Sequence, residues 1–437
     1  MMKPIRLLFA AALLLLGLAA CDKEDDPVLP PETDITADFD PDFARRLQDE
    51  GLIADAARIT YAEVAGITEL DVSGSYDDWN AGKGLTSLKG IEYFTSLTAL
   101  TCYYNQLTAL DVSLNTALTS LDCCYNQLTA LDVSRNTALT ILECGKNQLT
   151  ALDVSRNTAL TALGCDENKL TTLDVSRNTA LTFLDCGDNK LTALDASKNT
   201  ALTYLDCGGN QLTALDVSRN TALTILGCSY NQLAALDVSR NTALIELYCG
   251  FNQLTTLDVS KNIALTGLFC QESKLTALDL SKNTALTMLF CYGNQLTALD
   301  VSKNTALAYF DCSGNQLTSL DLSKNTALEA LDCGENQLTS LDVSGNTALI
   351  MLYCYNNRLT ALDVSKNTAL TVLGCEENQL TALDVSRNIV LTELECQRNP
   401  GKNGIFEVTL WPGSELKAEK ESWEYDGQAV AVKYLGN

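Results

Sequence analysis

The amino-acid sequence predicts an α/β-type repeat solenoid, mostly β, forming one elongated domain. Three observations predict it. The segment "LTILECGKNQLTALDVSRNTA", residues 139–159, returns with small changes every 21 residues. Cysteines at 102, 123, 144, 165, 186, 207, 228, 249, 270, 291, 312, 333, 354, 375 and 396 keep that spacing without insertion or deletion, which makes fifteen coils. No proline occurs between Asp42 and Asn399, as expected where every strand needs its backbone donors. A length of 437 residues would otherwise suggest two or three globular domains, but internal repetition overrides that count.

Each repeat has two similar halves. Leu139, Leu142, Cys144 and Asn147 are spaced L-x-x-L-x-C-x-x-N, and Leu149, Leu152, Val154 and Asn157 repeat the spacing with valine for cysteine. Each half is a leucine-rich-repeat signature. The alternation in L-x-C and L-x-V puts both apolar side chains of a short strand on one face, and the asparagine turns the chain while its amide bonds backbone groups of the neighbouring coil. One coil cannot bury its leucines alone, so coils must stack Leu on Leu and Asn on Asn. At about 4.8 Å per stacked strand, the sheet would be roughly 70 Å long. Each ladder cysteine takes an inward strand position as a small buried hydrophobe. Distance alone would admit bridges between stacked cysteines. In-register strands, however, aim adjacent Cβ vectors alongside each other whereas a bridge wants a dihedral near about 90°, so free thiols are expected. Cys124, beside Cys123, is expected to point outward as an exposed thiol.

The repeats, residues 97–399, lie between two caps. Residues 38–96 form an N-terminal cap and irregular first repeat: Phe43, Leu47 and Ile53 have helical spacing, Asp42 or Asp40 can cap the first turn, and 85–97 reads as an irregular coil. Asp38, Asp40 and Asp42 alternate like the start of a calcium loop, but Phe43 stands where such a loop needs glycine, so no metal is expected. In residues 400–437, "IFEVTLWPG" and "QAVAVKYL" alternate like the strands of a closing β-hairpin.

The chain opens with Lys3 and Arg6, an apolar run from Leu7 to Leu18 too short to span a bilayer, and Leu18-Ala19-Ala20-Cys21. Residues 1–20 therefore read as a signal peptide. The junction resembles the lipobox of bacterial lipoproteins, which implies cleavage before Cys21 and lipidation of that cysteine. Asp22-Lys23-Glu24-Asp25-Asp26 resembles the acidic tag that sends lipoproteins to the outer face of the outer membrane. Residues 21–37, with Pro27, Pro30 and Pro31 among acidic residues, read as a tether. The expected location is the bacterial outer membrane, lipid-anchored and surface-exposed, with no other membrane contact.

Leucine-rich repeats of 21 residues with cysteine at the inward position are similar to those of the internalin family of bacterial surface proteins, over roughly residues 38–400. The resemblance implies a right-handed curved solenoid with the L-x-C strands on its concave side, and a role in adhesion or protein recognition. The sequence departs from that family in showing no cell-wall sorting signal and no accessory domains, with attachment expected through Cys21 instead.

A formal charge of −25 repels phosphate backbones and anionic lipid heads, which argues against nucleic acid, and the absence of histidine removes histidine zinc sites and histidine-based triads. Comparison among the repeats locates the working face. In the second half, outward Asp153, Ser155 and Arg156 barely change from coil to coil and read as architecture. In the first half, the positions three and one before each ladder cysteine and one and two after it should face outward, and they vary. Tyr248, Phe269 and Phe290 stand one before the cysteine in successive coils and should form a contiguous exposed strip, with Tyr204, Tyr230, Phe251, Tyr292 and Tyr309 in neighbouring columns. Asp185, Asp206, Asp311 and Asp332 flank it. These twelve residues are the candidate ligand site, with aromatic anchors in an acidic surround that favours a basic protein partner. The alternative is glycan capture, with tyrosines stacking on sugar rings and carboxylates accepting hydroxyl hydrogens. No enzyme activity and no cofactor are expected. Paired carboxylates such as Asp166-Glu167 or Glu376-Glu377 would lie on an open sheet, where nothing raises one pKa above another. A monomer is expected.

Overall fold

The computed structural model describes residues 29–416, 423 and 429–435. Cys21 and the signal segment lie outside them. Among the described residues, no helix is long and apolar enough to cross a membrane.

One sheet of sixteen parallel strands runs through the repeats. It begins with Glu69–Asp71, continues with Ala99–Thr101 and then takes one three-residue strand per coil to Glu393–Glu395. Leucine stacks on leucine in register, as in Leu205 on Leu226, with Phe310 replacing leucine once. The ladder cysteine follows each strand and carries the pairing on: the Cys228 N–H donates to Tyr248 O at 2.8 Å. All fifteen ladder cysteines are fully buried, and all are free thiols.

The second half of the repeat departs from expectation. L-x-V forms no strand in these coils, except at Ala382–Asp384, where the C-terminal cap supplies a partner. Its apolar residues are nonetheless inside, Val154 fully and Leu152 nearly so. The reason lies in the hydrogen bonds. Here the chain turns just past the apolar pair, with Asn157 N–H to Val154 O at 3.0 Å and Leu160 N–H to Asn157 O at 3.1 Å, and no ladder of backbone bonds joins L-x-V to the neighbouring coils. Asparagine side chains make the link instead. Asn157 Nδ2 donates to Val133 O and Asn136 O, both at 2.9 Å. In the first half, Asn147 Nδ2 donates to Cys123 O and Cys144 O, and its Oδ1 accepts from Leu128 N. The two asparagine columns thus bolt each coil to the one before it.

The N-terminal cap holds three helices, α1 (Pro41–Asp49), α2 (Tyr61–Ala65) and α3 (Tyr76–Asn80). Asp40 caps α1 by accepting from Asp42 N and Phe43 N, and Pro41 begins the first turn. Phe43, Leu47 and Ile53 are buried as their spacing predicts, and Phe39, Phe43 and Phe94 pack together over the open end of the first coil. The cap starts earlier than the sequence suggests. Ile35 is 2 % exposed and its N–H bonds Ile59 O at 2.9 Å, so residues assigned to the tether belong to the folded cap.

The C-terminal cap is not a hairpin. Ile405–Leu410 and Ala429–Tyr434 pair parallel, and Ile405–Leu410 also pairs parallel with Ala382–Asp384. A hairpin needs a tight turn, whereas the connection across 411–428 is long enough to cross over. Trp423 in that connection is buried and its Nε1 donates to Leu394 O at 2.7 Å, which closes the last strand.

Candidate functional site

The strand face presents two columns, one and three residues before each ladder cysteine, flanking the buried leucine. In-register stacking sets what their side chains do. Rings in one column lie flat on one another, with Tyr248–Phe269 centroids 4.4 Å apart and Phe269–Phe290 5.2 Å apart, near parallel in both cases. The strip is therefore contiguous but not exposed as expected. Phe269, clamped between its neighbours, is 8 % exposed; Tyr248 and Phe290 are half-buried, and the Tyr248 hydroxyl donates to Glu246 at 2.6 Å. Tyr204 stacks in the same way on Phe183 at 4.5 Å. Tyr309 is more open, 42 % exposed, with its hydroxyl on Glu329 at 3.0 Å.

Two residues past the cysteine, the chain leaves the sheet through a left-handed turn. Fifteen residues occupy this column, all with φ between 46° and 63°, and only Gly209, Gly293 and Gly314 are glycine. Glycine would take that conformation without steric cost. The column instead carries Tyr104, Tyr125, Tyr230 and Phe251 among others, and Tyr230 is 59 % exposed and stacked on Phe251 at 4.1 Å. Tyr292, one past its cysteine, meets Phe251 edge-on at 6.5 Å. Tyr230 and Phe251 thus sit on the rim of the strand face.

The acidic residues are half-buried among these columns. Burial first, then neighbouring carboxylates, raises Glu143 to about 8 (Asp122 and Asp166 beside it) and Asp185 to about 8 (Asp206 and Asp166). Burial raises Asp332 to about 7 and lifts Asp166, Asp206 and Asp311 as well. The expectation that an open sheet leaves such groups unshifted is corrected: stacked coils place like charges side by side, and the flanking columns remove water. Glycines make the room. A Cβ at Gly164 would lie 1.9 Å from the Glu143 carboxylate, and one at Gly227 2.7 Å from that of Asp206.

The near-constant half behaves oppositely. Asp153 Oδ1 accepts from Ser155 N at 2.9 Å, a bond repeated from Asp111 to Asp384; in Asp153, hydrogen bonding from the Ser155 hydroxyl and then from its N–H lowers the carboxyl pKa. That column is architecture. Cys124 is half-buried rather than exposed, and burial with Asp122 nearby pushes its thiol well above the usual range, so it is a poor nucleophile.

One cluster escaped the sequence reading. Tyr76 and Trp79 of α3 meet Tyr104 at the N-terminal rim, Trp79 lies 5.5 Å from Tyr125, and Tyr104 packs against Tyr103 and, at 4.2 Å, Tyr125. The 21-residue separation of Tyr104 and Tyr125 was a visible signal. Trp79 lies outside the repeat, where periodicity cannot place it.

The chain matches no family profile and no curated protein. Among solved structures it is similar to the functional domain of InlJ from Listeria monocytogenes, which includes a cysteine ladder, at 38 % identity over 88 % of this chain and 83 % of that chain, with a TM-score of 0.77. A leucine-rich-repeat protein of Leptospira interrogans (24 % identity, 85 % and 97 % of the chains, TM-score 0.70) and the internalin InlF of L. monocytogenes (24 %, 84 % and 98 %, 0.60) share the fold. With that identity and coverage, and the same cysteine ladder, the chain belongs to the internalin family of leucine-rich-repeat proteins.

Proposed function

We propose that this chain is a lipid-anchored surface protein of the bacterial outer membrane, a binding scaffold rather than an enzyme, that recognises a basic protein partner through its strand face. The contrast between the two halves of the repeat carries the reading. In the near-constant half the asparagines hold neighbouring coils together, and the exposed aspartates cap a turn within their own coil. In the variable half the carboxylates accept a similar backbone bond, as Asp185 from Gly187 N–H, but are half-buried beside rings and beside one another, where burial opposes their charge. A carboxylate row that burial and mutual repulsion hold against ionisation is stabilised by an incoming cation, which favours Lys or Arg over neutral or acidic partners. Membership of the internalin family supports protein recognition as the task.

The test is capture of labelled surface proteins by immobilised protein, run beside a glycan array. Changing Asp185, Asp206, Asp311 and Asp332 together to Asn should abolish capture. Changing Asp153, Asp174 and Asp195 to Asn should leave it intact. The reading fails if the second variant loses capture while the first retains it, or if binding is confined to glycans. Lipidation is tested by metabolic labelling with a fatty-acid probe: Cys21→Ala should lose the label, and equal labelling would remove the anchor from the proposal.

A further inference from the structure

The aromatic cluster at the N-terminal rim is built rather than incidental. α3 contributes no buried residue to the core, so its position is not dictated by packing. It is nevertheless fixed to the first coils: Gly74 N–H donates to Tyr103 O at 2.9 Å, Gln106 Nε2 donates to Trp79 O at 2.7 Å, and a Cβ at Gly74 would collide with Tyr104 O. The rings are held in place before any partner arrives, which lowers the ordering cost of binding. Tyr76, 56 % exposed, meets Tyr104 edge-on at 5.9 Å, and Trp79 reaches across to Tyr125.

The molecule itself shows which chemistry these faces accept. Lys146 Nζ lies 5.2 Å from the centroid of Tyr125 and is ion-paired with Glu167. A ring face is negative and attracts cations, most strongly for Trp and then Tyr. Exposed Asp77 and Asp78 belong to α3 itself, and Asp122 and Glu143 stand on the adjoining strands. An anionic ligand is repelled here, and a wholly apolar one would have to strip water from those carboxylates unrewarded. Beyond the rings, Glu143, Asp166, Asp185 and Asp206 follow one another on successive coils.

We propose that Tyr76, Trp79, Tyr104 and Tyr125 form a cation-recognising site that takes an arginine or lysine side chain of a protein partner, whose further basic residues lie along the acidic columns. The proposal rests on the reading of this chain as a protein-binding scaffold and names where the partner is anchored.

The probe is a fluorescein-labelled peptide of alternating Arg and Ser, compared with peptides in which Arg is replaced by Gly or by Glu. Wild-type protein should bind the Arg peptide and neither control, with tighter binding at low salt. The double variant Tyr76→Ala/Trp79→Leu should bind about tenfold more weakly, a loss of about 1.4 kcal/mol, because two ring faces open to a cation are removed. Its circular dichroism should be unchanged. Lys146→Met, which removes the cation already on Tyr125, should bind more tightly than wild type. Equal affinity for the Arg and Gly peptides, or an unweakened double variant, overturns the proposal. If the double variant still captures surface proteins while the four-aspartate variant does not, the anchor is wrong and the proposed function stands. If both variants capture normally, both fall.

Discussion

Replacing Asp185 by asparagine probes the electrostatics of the strand face directly. Asp185 sits half-buried beside Asp206 on the next coil, and burial with those neighbours raises its carboxyl to about 8, against the single opposing bond from Gly187 N–H at 3.1 Å. The sign follows from proton counting. Between an ordinary carboxyl pKa of about 4 and about 8, the folded protein keeps a proton that the unfolded chain has released, so stability falls as pH rises through that window and levels off above it. One isolated group would give about 1.4 kcal/mol per pH unit. Sharing of the charge with Asp166 and Asp206, together with partial exposure, reduces this to on the order of 1 kcal/mol per unit, or about 2 kcal/mol between pH 6 and 8. The side-chain amide introduced by Asp185→Asn cannot titrate, and its oxygen can still accept from Gly187 N–H. Urea unfolding followed by circular dichroism at pH 6, 7, 8 and 9, at fixed ionic strength, should show wild type losing stability toward pH 8. The advantage of Asp185→Asn over wild type should widen by about 1 kcal/mol per unit up to pH 8 and then stay flat. A difference that is constant from pH 6 to 9 would refute the reasoning.

Three further outcomes are expected. Cys228→Ala should cost about 1 kcal/mol and Leu226→Ala about 2 to 5, because both are fully buried but differ in the volume lost; alkylation under denaturing, non-reducing conditions with mass spectrometry should find the ladder thiols free, and a majority found bridged would overturn this. Asn147→Ala removes an acceptor for Leu128 N and donors to two carbonyls, and should cost about 2 to 4 kcal/mol in chemical denaturation; a loss within error of zero would show that the bolts between coils are redundant. The triple variant Tyr248→Ala, Phe269→Ala, Phe290→Ala dissolves two stacked pairs and should lose about 1 to 3 kcal/mol, where freely exposed rings would lose almost nothing.

The repeat by itself determined the solenoid. A strict 21-residue period with leucine and cysteine two apart admits one arrangement in which the apolar positions all bury, namely stacked coils in register, and the buried ladder of free thiols follows from it. The capping of α1 was legible for a similar reason, since Asp40, Pro41 and Phe43 act within one turn. Properties that depend on a neighbour one coil away were decided only by the tertiary structure. The L-x-V half resembles a strand in sequence, yet the chain turns just past it and no backbone ladder forms there, so asparagine side chains make the connection. Phe269 would be exposed in its own coil and is covered by Tyr248 and Phe290 from the two beside it. Asp185 is an ordinary carboxylate until stacking sets Asp206 at its side and dries the space between them. Trp79 joins Tyr104 and Tyr125 because an insertion of no period folds back onto the first coils. Local pattern sets which way a residue points, whereas burial, stacking and charge come from what the adjacent coil puts next to it.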